Sequence, residues 1–583
     1  MPSVSAVHEK THYNAPGQPG EGDAPVNKCV TSASSSLVVA SIVVIYLLTC
    51  GILLILSLAR TQWHLVYPLD DAYIHMAIAK NLAEHGVWGV TRYEFTSCSS
   101  SPLWIILLSG IYRISGVNEW IPLLLNLLFG AFVLIVAHHW LAKSISNRVA
   151  VAVTVLALCF LIPVPVLALN GMEHTLHVLL LILFSGAAMR LLEDRGQESL
   201  TSRAIVLALL VLMVMTRFES LFVAGIFCML LGFQRRWKWA AVSLVAAVSL
   251  VIIGSFISLS RGWLWLPNSL LLKGAMPRFS SLSGIVGLLG YRSLNQLFAT
   301  PPLTAMVAAL VGLYIWGLRQ GRNFWNRSQV LLLFAASTIF IHTQFAGTSL
   351  WNTPWYLYRY EAYLVAFGIF AVGAAGWAPA SCANVQYSSR VLYYGVCVLG
   401  LFLLAFPLLQ RMAVMMIYFP GAAQNVWEQQ YQMARFLHTY YDGHSVAAND
   451  IGAINYFADL RCLDLFGLAN NEIGRRKLDG TYNTATIMRE SAKGGPEVAI
   501  VYDAWFQGVP LFGKPSPKLP ASWNRVGQWR VPKNVALGDD VVSFYAVLPD
   551  EGPPLKAHLL AFRDRLPATV IQSGAYLGND RAQ

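Results

Sequence analysis

Charge is what this sequence has least of. Only 12% of its 583 residues are Asp, Glu, Lys or Arg, against roughly a quarter in ordinary soluble domains. A chain that is 56% hydrophobic does not read as one soluble globule. Metal-binding and disulfide signatures are missing too. The 8 cysteines have no CxxC spacing, so no zinc site and no disulfide framework follows, although Cys98 and Cys462 are candidates for a pair. No basic cluster accompanies the net charge of +11. The basic residues are scattered between apolar runs, which excludes a nucleic-acid surface. No cleavable leader is read either, since the first apolar run comes too late and is too long.

What is present is a succession of apolar runs that reach or approach the roughly 17–25 residues needed to cross a bilayer as helix. They predict a polytopic α-helical membrane protein of about eleven spans, from Leu37–Ala59 through Trp120–Leu141, Val149–Leu167 and Glu173–Leu192 to Val391–Leu409. Residues 1–35 read as a disordered tail, 36–410 as the membrane domain and 411–583 as an α/β domain. Within the membrane domain, 60–119 and 261–301 read as long loops. Pro102–Ile114 reads as a surface helix. HSVAAND, RCLDLF, EVAIVYD, WNRVGQWRV and VVSFYAVLP read as strands, and INYFA as helical. Basic residues such as Lys143, Arg148, Arg190, Arg195, Arg235 and Arg327 fall between spans on one side. The positive-inside rule makes that side cytoplasmic, with the amino terminus inside and the C-terminal domain outside an inner or plasma membrane.

Asp70-Asp71 follow the first span and precede a run with Ile74, Ile78 and Leu82 at helical spacing, ended by His85-Gly86. Asp70 as N-cap, with Asp71 as a first-turn charge, explains both. A second reading makes one carboxylate a general base, taking the proton of an acceptor hydroxyl that attacks a sugar. The two readings are compatible.

DDAYIHMAIAKNLAEHGVWG, NGMEHTLHVLLLILF, MTRFESLFVA, LPNSLLLK and VAANDIGAINYFADLRCLDLFGL occur in that order. In them the chain resembles the GT-C class of polytopic glycosyltransferases that use polyprenyl-phosphate sugars. It is most like bacterial arabinofuranosyltransferase-like proteins, and more distantly like aminoarabinose transferases and protein O-mannosyltransferases. The resemblance implies a hexosyl- or pentosyltransferase inverting by direct displacement. Its partners would be a polyprenyl-phosphate sugar donor, a glycan or lipid acceptor and the bilayer. It implies Asp70 as the catalytic base, with Asp71 assisting or binding metal. A divalent ion on that pair stays open, and no metal ligand is assigned. Lys273, matching the lysine of a P-N-T…K segment, leads the candidates for the donor phosphate, followed by Arg217 and Arg359. Arg261 and Arg278, and Arg359 with them, read rather as lipid-facing cations.

Arg217 and Glu219 also read as a structural pair, and Glu173 with His174 as sugar contacts or a helix-start charge. Asn449-Asp450 read as acceptor contacts or turn residues. Trp104, Trp263, Trp265, Trp351 and Trp355 read as interfacial aromatics or sugar platforms. A transporter of lipid-linked sugars and a non-catalytic assembly protein are the alternatives. No internal repeat of the kind expected of transporters is seen.

Overall fold

The computed structural model of the chain describes residues 26–193, 199–273, 299–345, 357–376, 387–511 and 513–578. Residues 1–25, Arg195, most of the 261–301 loop with Arg278, and Trp351 with Trp355 lie outside the described residues.

The described residues form twenty α-helices. They are α1 Val26–Arg60, α2 Asp70–His85, α3 Pro102–Ser115, α4 Trp120–Ser144, α5 Arg148–Leu161, α6 Val164–Leu169, α7 His174–Glu193, α8 Leu200–Thr216, α9 Ser220–Phe233 and α10 Trp237–Ser260. After them come α11 Asn268–Lys273, α12 Pro301–Arg319, α13 Arg327–Phe345, α14 Ala362–Gly376, α15 Tyr387–Glu428, α16 Gln430–Tyr440, α17 Gly452–Phe457, α18 Asn471–Leu478, α19 Thr484–Gly494 and α20 Gly552–Phe562.

Among the described residues seven helices are long and apolar enough to cross a membrane. They are α1 from Ser36, α4, α7, α10, α12, α13 and the run Leu404–Tyr440. The chain is a multi-pass membrane protein. Helices α3, α5, α8 and α9 are apolar but shorter. Polarity cannot order these helices, because nearly all their side chains are apolar; burial does. The apolar window of α7 is 83% buried and that of α10 only 11%. Helix α7 is therefore the centre of the bundle and α10 lies at its rim. Leu244, Ile252 and Phe256 of α10 are exposed, as befits a surface whose solvent is lipid.

The two ends of the bundle differ in charge. At one end Arg190, in the last turn of α7, lies over Trp140 at 4.3 Å, and Arg327, opening α13, lies over the same ring at 5.4 Å. Arg236 donates to the Leu191 carbonyl at 2.6 Å. At the other end α7 begins beside α2 and the C-terminal domain.

The structure corrects three sequence expectations here. The predicted span Val149–Leu167 is broken at Ile162-Pro163 into α5 and α6, since proline cannot donate to the helical ladder. Helix α15 passes the predicted 410 boundary and runs to Glu428, with Pro407 and Pro420 inside it. Helix α1 begins within the predicted tail, at Val26.

The C-terminal domain is built on a six-stranded sheet of order β2-β1-β3-β5-β4-β6. Its strands are β1 Ser445–Ala448, β2 Arg461–Asp464, β3 Val498–Val501, β4 Asn524–Arg530, β5 Val541–Ala546 and β6 Ile571–Ser573. Strand β1 pairs in parallel with β2 and β3; the remaining pairs are antiparallel. β3 is buried along its whole length, as a run without polar alternation requires. One face packs on α16 and α20, where Phe436 meets Trp529, Phe544 and Phe562. Ile473 and Ile487 cover the opposite face. Helix α17 connects β1 to β2 and lies on α2.

Candidate active site

Helix α2 sets the site. Its N-cap is Leu69, in extended conformation and without a side-chain cap, so Asp70 and Asp71 are both first-turn residues rather than cap and follower. Gly86 ends the helix in the left-handed region at φ 69°, as predicted from His85-Gly86. Successive helix positions point about 100° apart, and the two carboxylates accordingly diverge.

Asp71 faces a cavity of about 330 Å³. Lys273 Nζ reaches its two oxygens at 3.1 and 3.2 Å, and Arg359 donates to Oδ2 from the other side. Burial disfavours the charged carboxyl, but Lys273 and Arg359 outweigh it and hold the group below the usual carboxylate range. Arg359 is itself buried and follows two non-glycine residues of positive φ, Leu357 at 56° and Tyr358 at 47°. Such residues cost on the order of 1–3 kcal/mol each and persist where the surroundings impose them.

Asp70 faces the sheet domain. Its Oδ2 accepts from Gly452 N–H at 2.6 Å and its Oδ1 from Ala453 N–H at 2.7 Å. Burial and the neighbouring Asp450 carboxylate raise its proton affinity above that of an ordinary aspartate, against the pull of those two N–H groups. Asp70 does not line the cavity.

A charged chain runs along the cavity wall, through Arg217, Glu219, His75 and Tyr360, to the buried Glu173 and Arg359. Arg217 donates to Glu173 at 2.6 Å and to Glu219 at 2.5 Å. Glu173 also meets His75 Nδ1 at 3.3 Å. Tyr360 joins the two arginines: Arg359 donates to its hydroxyl at 3.1 Å, and Arg217 lies over its ring at 5.4 Å.

Of the residues singled out in the sequence, Asp71, Lys273, Arg217, Glu219 and Cys98 line the cavity together. Glu173, His174 and Arg359 are buried beside it rather than lining it. Asn449 accepts from Tyr502 N–H at 2.9 Å, and Asp450 from the Tyr502 hydroxyl at 2.8 Å. Cys98 and Cys462 are both free. Trp104 is fully buried and cannot be a platform, whereas Trp263 and Trp265 line an adjoining groove. His75 and Tyr360 line the cavity without having been assigned a role. His75 was legible, standing four positions after Asp71 and so on its helix face.

A metal held by the aspartate pair does not fit these residues. The two carboxylates are committed in different directions, and cations already sit on Asp71. Among the described residues no group of three or more His, Cys, Asp or Glu is placed to hold a metal ion.

Residues 424–545 match a family model described as a domain of unknown function (DUF8728). Curated protein sequences give no match. Among solved structures, the chain is similar to ArnT from Cupriavidus metallidurans bound to undecaprenyl phosphate. Identity is 14%, TM-score 0.48, and the match covers 87% of this chain and 98% of that one. It is also similar to the archaeal oligosaccharyltransferase AglB from Archaeoglobus fulgidus in complex with an inhibitory peptide and a dolichol-phosphate. There identity is 11%, TM-score 0.47, and coverage 90% of this chain and 75% of that one.

Proposed function

We propose that the protein is an inverting glycosyltransferase of the GT-C class, with Asp71 as general base. It moves a sugar from a polyprenyl-phosphate donor to an extracytoplasmic cell-envelope glycan or lipid. The observation that carries this reading is the make-up of the cavity. Asp71, Lys273 and Arg217 meet there with Phe218, Leu221, Phe222, Val251 and Phe345. A sugar phosphate needs cations and a base, and its isoprenoid tail needs an apolar route. A groove of about 840 Å³ shares Phe218, Val251 and Leu266 with the cavity and follows α10, the rim helix, toward lipid.

Geometry comes before proton affinity in choosing a base. Asp70 has the raised affinity but faces away from the cavity; Asp71 lines it. Asp71 therefore takes the role expected of Asp70. The acceptor hydroxyl gives its proton to Asp71 as its oxygen bonds to the anomeric carbon. The bond from that carbon to the phosphate oxygen breaks, and the phosphate leaves with the electron pair. Lys273 answers the departing charge. In the unliganded arrangement Lys273 weakens Asp71 as a base. A bound phosphate would draw Lys273 away and strengthen the carboxylate as a proton acceptor. Arg217, already balanced by Glu173 and Glu219, orients rather than neutralises.

The gathering of Arg190, Arg236 and Arg327 at the opposite end supports a cytoplasmic amino terminus and an extracytoplasmic sheet domain. Counting α5, α8, α9 and α14 with the seven long helices gives the eleven spans of this reading.

The test is sugar transfer from a labelled polyprenyl-phosphate sugar by purified protein in proteoliposomes. Asp71→Asn is expected to lose about 10²–10⁴-fold in turnover, the usual contribution of a general base, while still binding polyprenyl phosphate. Turnover equal to wild type by a folded variant would contradict the assignment.

A further inference from the structure

Asp70 adjoins the base in sequence, yet its side chain serves another element. The two N–H groups it accepts from open α17, which lies 382 residues away in the chain. Gly452 leaves no room for a side chain at that contact. A Cβ there would stand 2.1 Å from the Asp70 carbonyl oxygen and 2.5 Å from its Oδ2.

Asp450, two residues earlier, faces the same carboxylate. It is held by the Tyr502 hydroxyl at 2.8 Å and by Gln430 Nε2 at 3.0 Å. The grip therefore extends from α2 to α16 and to the end of β3. Further along α2, Tyr73 packs against Tyr456 and Phe457 at 5.9 and 5.5 Å. Beyond it, Lys80 Nζ donates to the Tyr456 carbonyl at 2.8 Å. Helix α17 thus holds α2 at two polar points. One is a single residue from the carboxylate in the cavity, and the other is more than two turns beyond it.

We propose that Asp70 is a positioning residue whose clasp on α17 fixes the first turn of α2, so that the sheet domain aims Asp71 into the cavity. This rests on the reading of Asp71 as the base. Misplacing a catalytic group by about 1 Å can cost on the order of 10²-fold in rate, so a clasp one residue away bears directly on turnover. The proposal also gives the sheet domain a part in catalysis without requiring it to touch substrate.

The test compares Asp70→Asn, Gly452→Ala and Lys80→Met in the proteoliposome assay, with Asp71→Asn alongside. Asp70→Asn is isosteric and keeps one acceptor oxygen, so folding is preserved where Gly452→Ala is too disruptive. Asp70→Asn and Gly452→Ala are expected to lower kcat by on the order of 10²-fold with little change in KM for the donor. Lys80→Met, cutting the distant grip, is expected to spare kcat. A merely structural role predicts instead that Asp70→Asn and Lys80→Met act alike, both through thermal stability. Wild-type kcat in Asp70→Asn, or equal losses in Asp70→Asn and Lys80→Met, overturns the clasp. Wild-type kcat in Asp71→Asn overturns the base reading whatever the Asp70 variants do.

Discussion

Asp70 and Asp71 share a helical turn and almost nothing else. Asp71 pairs directly with two cations at the cavity wall, and Asp70 sees two backbone N–H groups and a second carboxyl. Their proton affinities move apart accordingly, down for Asp71 and up for Asp70. The sign has a consequence. A carboxyl whose folded pKa is depressed contributes stability above its unfolded pKa, about 3.9, and loses it only as pH falls through the lower folded value. The Asp71–Lys273 pair is therefore intact from mildly acid to neutral pH. Removing Lys273 takes away the strongest cationic influence on Asp71, so its pKa must rise. Lys273→Gln is expected to weaken binding of polyprenyl phosphate and to move the acid limb of kcat/KM to higher pH. A pH–rate profile at constant ionic strength checks this, and an unmoved acid limb counts against Asp71 as the titrating base.

At the scale of elements, local pattern was enough for most of the sheet domain. The stretches HSVAAND, RCLDLF, EVAIVYD, WNRVGQWRV and VVSFYAVLP contain β1 to β5, and all of INYFA but its last residue falls in α17. Short apolar runs between turn residues carry that information by themselves. β6 was not legible, being three residues long and largely exposed. The cavity was legible in part. Lys273, Arg217 and the acidic pair stood out as charges in apolar surroundings, but which aspartate faced inward depended on a contact 382 residues away, and no local rule reaches that far. The packing beneath the sheet gives its own test. Phe436 of α16 is fully buried among Trp529, Phe544 and Phe562. Phe436→Ala is expected to cost about 3–5 kcal/mol and to lower the first unfolding midpoint of the detergent-solubilised protein. A midpoint equal to wild type would mean this aromatic cluster does not hold α16 to the sheet.

At the scale of the whole molecule, the bundle and the sheet domain meet over α2, and the charged chemistry lies at that junction. The far end holds the arginines stacked on Trp140. Between the ends runs the buried α7, with Glu173 and His174 at one end and Arg190 at the other. On the proposed function, a lipid headgroup would enter laterally from the bilayer and an acceptor from the side of the sheet domain. On the same reading the protein consumes a lipid-linked sugar, with Asp71 essential. The most direct test is mass analysis of lipid-linked sugars and envelope glycans in cells lacking the protein, complemented with wild type or Asp71→Asn. The predicted result is a polyprenyl-phosphate sugar that accumulates while an envelope glycan or lipid loses that sugar, both restored by wild type and neither by Asp71→Asn. Unchanged lipid-linked sugars and envelope glycans in the deletion strain, or full restoration by Asp71→Asn, would contradict it.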